Sequence, residues 1–215
     1  MTRRDWLAHC SLLGSGLCGT GALAAGGGAP PRTLLVVGDS LSAEYGLARG
    51  SGWVALLEQR LAKEKIAATV VNASISGDTT SGGRSRLPAL LRQHKPTHVL
   101  IELGGNDALR GLPLPMTRDN LAAMVKAARD AGARVLLLGM QVPPNYGRKY
   151  GDEFAALFAD VARAGGAALV PFVLDGVANA PNAEAMFQSD RIHPLAAAHP
   201  RMLANVWPVL APLLK

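Results

Sequence analysis

The residues able to do chemistry fall at four places along the chain. Gly38-Asp39-Ser40 follows a short apolar run at residues 34–37. A β-branched run of that length, ended by glycine, suits a strand buried on both faces of a parallel sheet. Ser40 then sits at the carboxyl edge of that sheet, where ligands bind in open α/β folds. A hydroxyl there becomes a nucleophile only if a base takes its proton. Asp190 and His193, three apart in Asp-Arg-Ile-His-Pro, can supply one. The carboxylate accepts from one ring nitrogen, which leaves the other free for the hydroxyl proton. Two further polar loops, Ser76-Gly77-Asp78 and Gly105-Asn106-Asp107, each follow an apolar run of their own and open on the same edge. Each piece also has a structural reading. Asp-Ser after a strand makes a turn or a helix N-cap, Asn106 suits a turn, and Asp107 is assigned to structure rather than chemistry. An isolated histidine is more often a surface or capping residue, the role expected for His94, His98 and His199. Asp39 is expected to hold the nucleophile turn by accepting from backbone N–H groups.

Periodicity locates the elements that must carry these loops. Residues 52–63 place Trp53, Leu56, Leu57 and Leu61 at helical spacing, residues 67–71 read as a second strand, and residues 82–94 form a helix with Leu87, Leu90 and Leu91 on one face. A third strand at 97–103 is followed by an amphipathic helix at 117–131, closed by Gly132, and a fourth strand at 134–140. The prolines of 142–147 exclude helix and central strand, so an irregular loop is expected there. A helix at 152–164, a short strand at 168–170 and a polar stretch at 175–189 come next. A final helix at 195–214 has Pro200 in its first turn, with Pro208 and Pro212 bending or ending it. This alternation predicts an α/β protein: a three-layer α/β/α, flavodoxin-like fold on a doubly wound, parallel five-stranded sheet.

With 215 residues, 49% hydrophobic composition and a net charge of +6, the chain is expected to build one core. Residues 1–30 differ from the rest: Arg3 and Arg4 precede a Gly/Ala-rich apolar run at 12–25, and Ala22-Leu23-Ala24 offers small residues for cleavage. A signal peptide with a short linker is expected there, a mature domain at 31–215, and a periplasmic or secreted location. Thr2-Arg3-Arg4-Asp5-Trp6-Leu7 resembles a twin-arginine export signal. The run is broken by Gly14, Gly16, Gly19 and Gly21 and falls short of the ~20 residues that span a bilayer, so no stable membrane anchor is expected. Cys10 and Cys18 both lie in this leader, which removes cysteine nucleophiles, disulfides and thiolate metal sites from the mature chain. No basic cluster interleaved with aromatics suggests nucleic acid, and no glycine-rich loop after a strand suggests a nucleotide. No histidine or carboxylate spacing suits a metal, so neither metal nor cofactor is expected, and a monomer is.

Taken together and in order, the blocks resemble a known family. Gly-Asp-Ser-Leu-Ser at 38–42, Gly77 after Asn-Ala-Ser-Ile-Ser, Gly-Gly-Asn-Asp at 104–107 and Asp-x-x-His-Pro at 190–194 look like the four blocks of the SGNH, or GDSL, hydrolases. The longer strings Gly-Asp-Ser-Leu-Ser-Ala, Val-Val-Asn-Ala-Ser-Ile-Ser-Gly-Asp-Thr, Glu-Leu-Gly-Gly-Asn-Asp and Pro-x-Asn-Tyr-Gly-Arg are similar to its bacterial periplasmic thioesterase/lysophospholipase/arylesterase branch. The resemblance implies Ser40 as nucleophile, His193 as general base and then acid, and Asp190 as its orienting carboxylate. It further implies an oxyanion hole from the Ser40 and Gly77 backbone N–H groups and the Asn106 side-chain amide. Fixed neutral donors of that kind stabilise a tetrahedral intermediate without the reordering that water would need. Gly77 fits because a side chain there would obstruct close backbone approach. Ser40 lies in Gly-x-Ser-x-Ser, so the Gly-x-Ser-x-Gly elbow of α/β-hydrolases is absent. The implied substrates are fatty acyl esters, thioesters or lysophospholipids. Leu109, Val142, Pro143 and Tyr146, in loops that otherwise read as plain connectors, are candidates for an apolar acyl-chain wall. A carbohydrate O-acetylesterase and a non-catalytic envelope protein that binds lipid or glycan in the same cleft are the alternatives.

Overall fold

The computed structural model describes residues 31–215. The expected signal peptide at residues 1–30 lies outside the described residues. Five parallel strands, β1 (Arg32–Gly38), β2 (Ala68–Asn72), β3 (His98–Glu102), β4 (Arg134–Leu138) and β5 (Ala168–Val170), form one sheet in the order β2-β1-β3-β4-β5. The helices are α1 (Trp53–Lys63), α2 (Thr80–His94), α3 (Gly105–Leu109), α4 (Leu114–Asp130), α5 (Arg148–Gly165) and α6 (His199–Leu213). Helices α1 and α6 pack together as one layer, and α4 packs between α2 and α5 in the other. The doubly wound five-stranded sheet expected from the alternation is therefore present. The strand order reverses between β1 and β3, so the crevice at their carboxyl ends lies at the switch point where this topology opens a ligand site.

The core is where the apolar runs place it. Leu34 to Val37 of β1 and Val99 to Ile101 of β3 are wholly buried, because both strands are covered on each side by helices. Burying each such side chain is worth about 1.5–3 kcal/mol, so the central strands are rigid supports for the loops they launch. Edge strand β2 is only half-buried.

The larger boundary differences from the sequence reading lie at helix starts. Helix α2 begins two residues earlier than expected: extended Thr79 caps it, its hydroxyl accepting from the Gly82 N–H at 3.4 Å. Gly82 and Gly83 hid that first turn because glycine is a poor helix former. Helix α4 starts at Leu114, with Pro115 in its first turn, where proline loses no helical hydrogen bond. Helix α5 starts at Arg148, directly after Gly147 at φ 85°. Its first turn is fixed by rings four residues apart: Tyr150 stacks on Phe154 at 6.2 Å, and Phe154 meets Phe158 edge-on at 5.3 Å. The loop at 142–147 contains a 3-10 turn at Pro144–Tyr146, and Gly105-Asn106-Asp107 opens the short helix α3 rather than a plain loop. The last helix is preceded by a 3-10 turn at Ala196–Ala198, and neither Pro208 nor Pro212 stops it before Leu213. The Leu213 carbonyl there accepts from His98 Nε2 at 2.8 Å, so His98 is a buried cap rather than a surface group.

Candidate active site

His193 reaches Ser40 across 153 residues of chain, with Nε2 at 2.9 Å from the serine Oγ. Its other nitrogen, Nδ1, lies 2.7 Å from Asp190 Oδ2. The second carboxylate oxygen, Oδ1, accepts from the backbone N–H groups of Ile192 at 2.9 Å and His193 at 3.0 Å. The His193 ring and these N–H donors hold the Asp190 carboxyl down at about 2. Asp190 is thus an anion at neutral pH, the proton of a neutral His193 sits on Nδ1, and the Nε2 lone pair faces the hydroxyl.

The loop carrying this pair is fastened at both ends. Phe187 bridges Pro194, the Gln188 N–H donates to the His193 carbonyl at 2.8 Å, and the Leu195 N–H donates to the Met186 carbonyl at 2.8 Å. Arg191 turns the chain with φ 59°, which brings the Asp190 carboxylate back under the histidine. Two bonds tie the loop and its following helix to the segment after β1. Gln188 Nε2 donates to the Tyr45 carbonyl at 2.9 Å, and buried His199 accepts on Nδ1 from the Trp53 N–H at 3.0 Å. The Tyr45 ring lies over the His193 ring at 4.3 Å.

The expected oxyanion donors sit on three loops that are bonded to one another. The Asn106 side-chain amide donates to Asp39 Oδ2 at 3.0 Å and keeps its second hydrogen. The Ser40 and Gly77 N–H groups take no acceptor among the described residues. The Ile75 N–H donates to the Gly38 carbonyl at 3.0 Å, and Arg110 Nη2 donates to the Gly77 carbonyl at 2.7 Å. Gly77 has φ 77°, and an added Cβ would meet only the Arg110 guanidinium, at 3.6 Å. Its requirement within the protein is therefore conformational. Asp39 behaves as expected, accepting from the Leu41 N–H at 3.1 Å.

Other residues that shape the site carried little signal in the sequence. Arg86 pairs with Asp78 at 2.8 Å and donates to the carbonyls of Ala73 and Gly38, so one α2 side chain fixes the ends of β1 and β2. Wholly buried Asp107 accepts from the Thr80 N–H at 2.9 Å, from the Thr80 hydroxyl and from the Thr117 hydroxyl at 3.3 Å, the structural role expected of it. Glu102, the last residue of β3, is also wholly buried and accepts from the Ser42 hydroxyl at 2.8 Å. Trp53 Nε1 donates to that same hydroxyl at 3.1 Å. A charged residue at the end of an otherwise apolar strand was the one available hint of Glu102.

Of the expected acyl-wall residues, Leu109 is exposed at the end of α3, three residues from Asn106. Val142 packs against Gly151 of α5, Tyr146 stacks on Tyr150 at 6.0 Å, and Val142 and Pro143 line a surface groove of about 470 Å³ beside α5. Exposed large apolar side chains that the sequence reading did not single out, Tyr45, Ile75 and Ile192, flank Ser40, Gly77 and His193 in the chain. Among the described residues no three His, Cys, Asp or Glu side chains gather as metal ligands.

Residues 36–201 match the model of the GDSL-like Lipase/Acylhydrolase family. The esterase TesA of Pseudomonas aeruginosa is 56% identical over 186 residues, covering 86% of this chain and 91% of that protein. Thioesterase 1/protease 1/lysophospholipase L1 of Escherichia coli is 43% identical over 168 residues, covering 78% of each. The psychrotrophic esterase EstA of a Pseudoalteromonas species, solved with monoethylphosphonate as inhibitor, superposes with a TM-score of 0.79 at 39% identity, covering 85% of this chain and 98% of that one. A Ser–His–Asp chain at the switch point, beside unpaired donors on neighbouring loops, is what an acyl hydrolase needs, and the match spans all four blocks that supply it. The chain belongs to the GDSL-like lipase/acylhydrolase, or SGNH hydrolase, family.

Proposed function

We propose that this chain is a serine hydrolase of fatty acyl esters and thioesters, lysophospholipids included, working through an acyl-enzyme. The observation that carries this reading is the Ser40 Oγ to His193 Nε2 contact at 2.9 Å, with Asp190 on the far nitrogen at 2.7 Å. Ser40 attacks the acyl carbonyl as Nε2 takes its proton. The oxyanion is received by the Ser40 and Gly77 N–H groups and the Asn106 amide. His193 then protonates the leaving alcohol or thiol, and water reverses the path to release the fatty acid. The chain's own residues supply every proton transfer.

The names of the relatives, esterase, thioesterase and lysophospholipase, support this substrate class. So does the rim, where exposed Tyr45, Ile75, Leu109 and Ile192 offer apolar area to an acyl chain. Val142, Pro143 and Tyr146, in the loop before α5, complete the acyl-chain wall in this reading. The leader supports export to the periplasm or beyond, and the protein acts as a monomer. A series of aryl esters and acyl-CoAs of increasing chain length tests the reading. Medium chains are expected to outpace acetyl esters and acetylated sugars, and Ser40→Ala to abolish turnover with the fold intact. Preference for acetylated sugar would favour the O-acetylesterase reading, and turnover by Ser40→Ala would overturn the assignment.

A further inference from the structure

Two carboxyl groups, Asp39 and Glu102, are buried side by side behind the nucleophile turn, at 2% and 0% exposure. They are within hydrogen-bonding reach of each other. No cation pairs with either among the described residues. The charged and titratable groups around them are few. The Arg86 guanidinium is paired with Asp78 and comes nearest the pair through the Gly38 carbonyl, at 3.3 Å, while His193, bonded to the neighbouring Ser40, acts on Asp39 through its charge when protonated. Two adjacent carboxylates without a counter-ion cannot both stay ionised in such a place, so one holds a proton.

Hydrogen-bond accounting decides which one. Asp39 is engaged as an acceptor at both oxygens: Oδ1 takes the Leu41 N–H at 3.1 Å, and Oδ2 takes the Asn106 amide at 3.0 Å. Glu102 is engaged at Oε2, which takes the Ser42 hydroxyl at 2.8 Å and the Asp39 N–H at 3.3 Å. Its Oε1 is buried and meets no donor. An acceptor left bare at that depth is costly as an anion, whereas a protonated Oε1 turns it into a donor beside a carboxylate. The room is specifically kept, because a Cβ on Gly38 would come within 2.9 Å of Glu102 Oε2 and 2.8 Å of Ser42 Oγ.

We propose that Glu102 is a positioning residue: it stays protonated at neutral pH and donates from Oε1 to Asp39, which in turn holds the Asn106 amide in place for the oxyanion. The pair then carries a single negative charge. An ionised Glu102 would add a second one behind the position where the transition state develops its own, opposing what the donors stabilise. Burial first, and then the charge of Asp39, push the Glu102 carboxyl well above the ordinary 4.5, in the direction this requires. The inference builds on the serine mechanism proposed above, but its signature is spectroscopic and independent of turnover.

Glu102 is the buried glutamate among the described residues, so its carboxylic-acid stretch can be assigned. Infrared spectroscopy at pH 7 is expected to show a protonated carboxyl band that shifts in D2O and on carboxyl-13C labelling of glutamate, and that is missing from Glu102→Gln. Kinetically, Gln can still donate to Asp39 and accept from Ser42, so Glu102→Gln is expected to keep kcat within about threefold. Glu102→Ala should lose at least about tenfold in kcat at nearly unchanged KM. A wild-type spectrum without a glutamate-labelled acid band overturns the proposal even if Glu102→Gln fails to fold. A folded Glu102→Gln as slow as Glu102→Ala overturns the positioning role, while labelling of Ser40 by a phosphonate would remain as a separate test of the nucleophile.

Discussion

His193 can take a proton from Ser40 in only one of its two neutral tautomers, and Asp190 selects it. Three donors fix that carboxylate: the Nδ1–H of the ring and two backbone N–H groups. With its carboxyl held at about 2, Asp190 stays an anion throughout the working range. Protonation on Nε2 would remove the lone pair that faces Ser40, so the neutral ring is the working form. Asp190→Asn, which can turn a donor toward Nδ1 and favour the wrong tautomer, is expected to lower kcat by about 10²–10⁴ with little change in KM. Steady-state kinetics on an aryl ester checks this, and an Asp190→Asn variant as fast as the wild type would contradict the orienting role. Ser40, Asp190 and His193 were legible because chemistry restricts residue type and spacing. Glu102 was not, because its role comes from what surrounds it after folding. A carboxyl at a strand end has no periodic signature.

At the scale of elements, the three loops of the site are held by side chains from helices behind them. Thr80, in the first turn of α2, donates both its N–H and its hydroxyl to Asp107 of α3, and its hydroxyl accepts from Asn120 of α4 at 3.1 Å. Arg84 completes the chain by donating to Asn120 at 3.1 Å. Thr80→Val keeps the shape and the N–H but strips one donor from a buried carboxylate and the acceptor from a buried amide. It is expected to destabilise by about 1–3 kcal/mol in urea titration, with a smaller effect on kcat than Asp190→Asn. These contacts explain why the sheet was readable and the helix starts were not. The five β/α alternations follow from the apolar runs, and a doubly wound parallel sheet from right-handed crossovers, while the strand order is seen only in the folded chain. The first turns of α2, α4 and α5 are instead built on Gly82, Pro115 and Gly147, residues that single-sequence reasoning assigns to loops. The aromatic series Tyr150, Phe154 and Phe158 was the signal that would have placed α5 correctly.

At the scale of the whole molecule, the pH dependence of stability has two opposed parts, both from groups buried in their neutral forms. His199 and His98 are held below the ordinary 6.5 mainly by burial, and His199 must be neutral on Nδ1 to accept from Trp53. Their folded values are depressed, so their contribution is complete above 6.5 and lost as pH falls from there toward the folded values. Glu102 has the opposite sign: its folded value is raised, so its contribution is complete below the ordinary 4.5 and lost as pH rises through the folded value. On moving from pH 7 to pH 5 the urea midpoint is therefore expected to change less favourably in Glu102→Gln, which loses the carboxyl's gain, and more favourably in His199→Asn, which loses the imidazole's cost, than in the wild type. A pH response of His199→Asn identical to that of the wild type would contradict the histidine assignment. Everything in the catalytic reading converges on one oxygen atom made nucleophilic by its neighbours. Intact-mass and peptide mass spectrometry after treatment with a serine-directed organophosphonate reports on that atom directly. A single phosphonyl adduct on Ser40 is expected, absent from Ser40→Ala and slow to form in His193→Ala. No adduct, or one located on another residue, would contradict that reading.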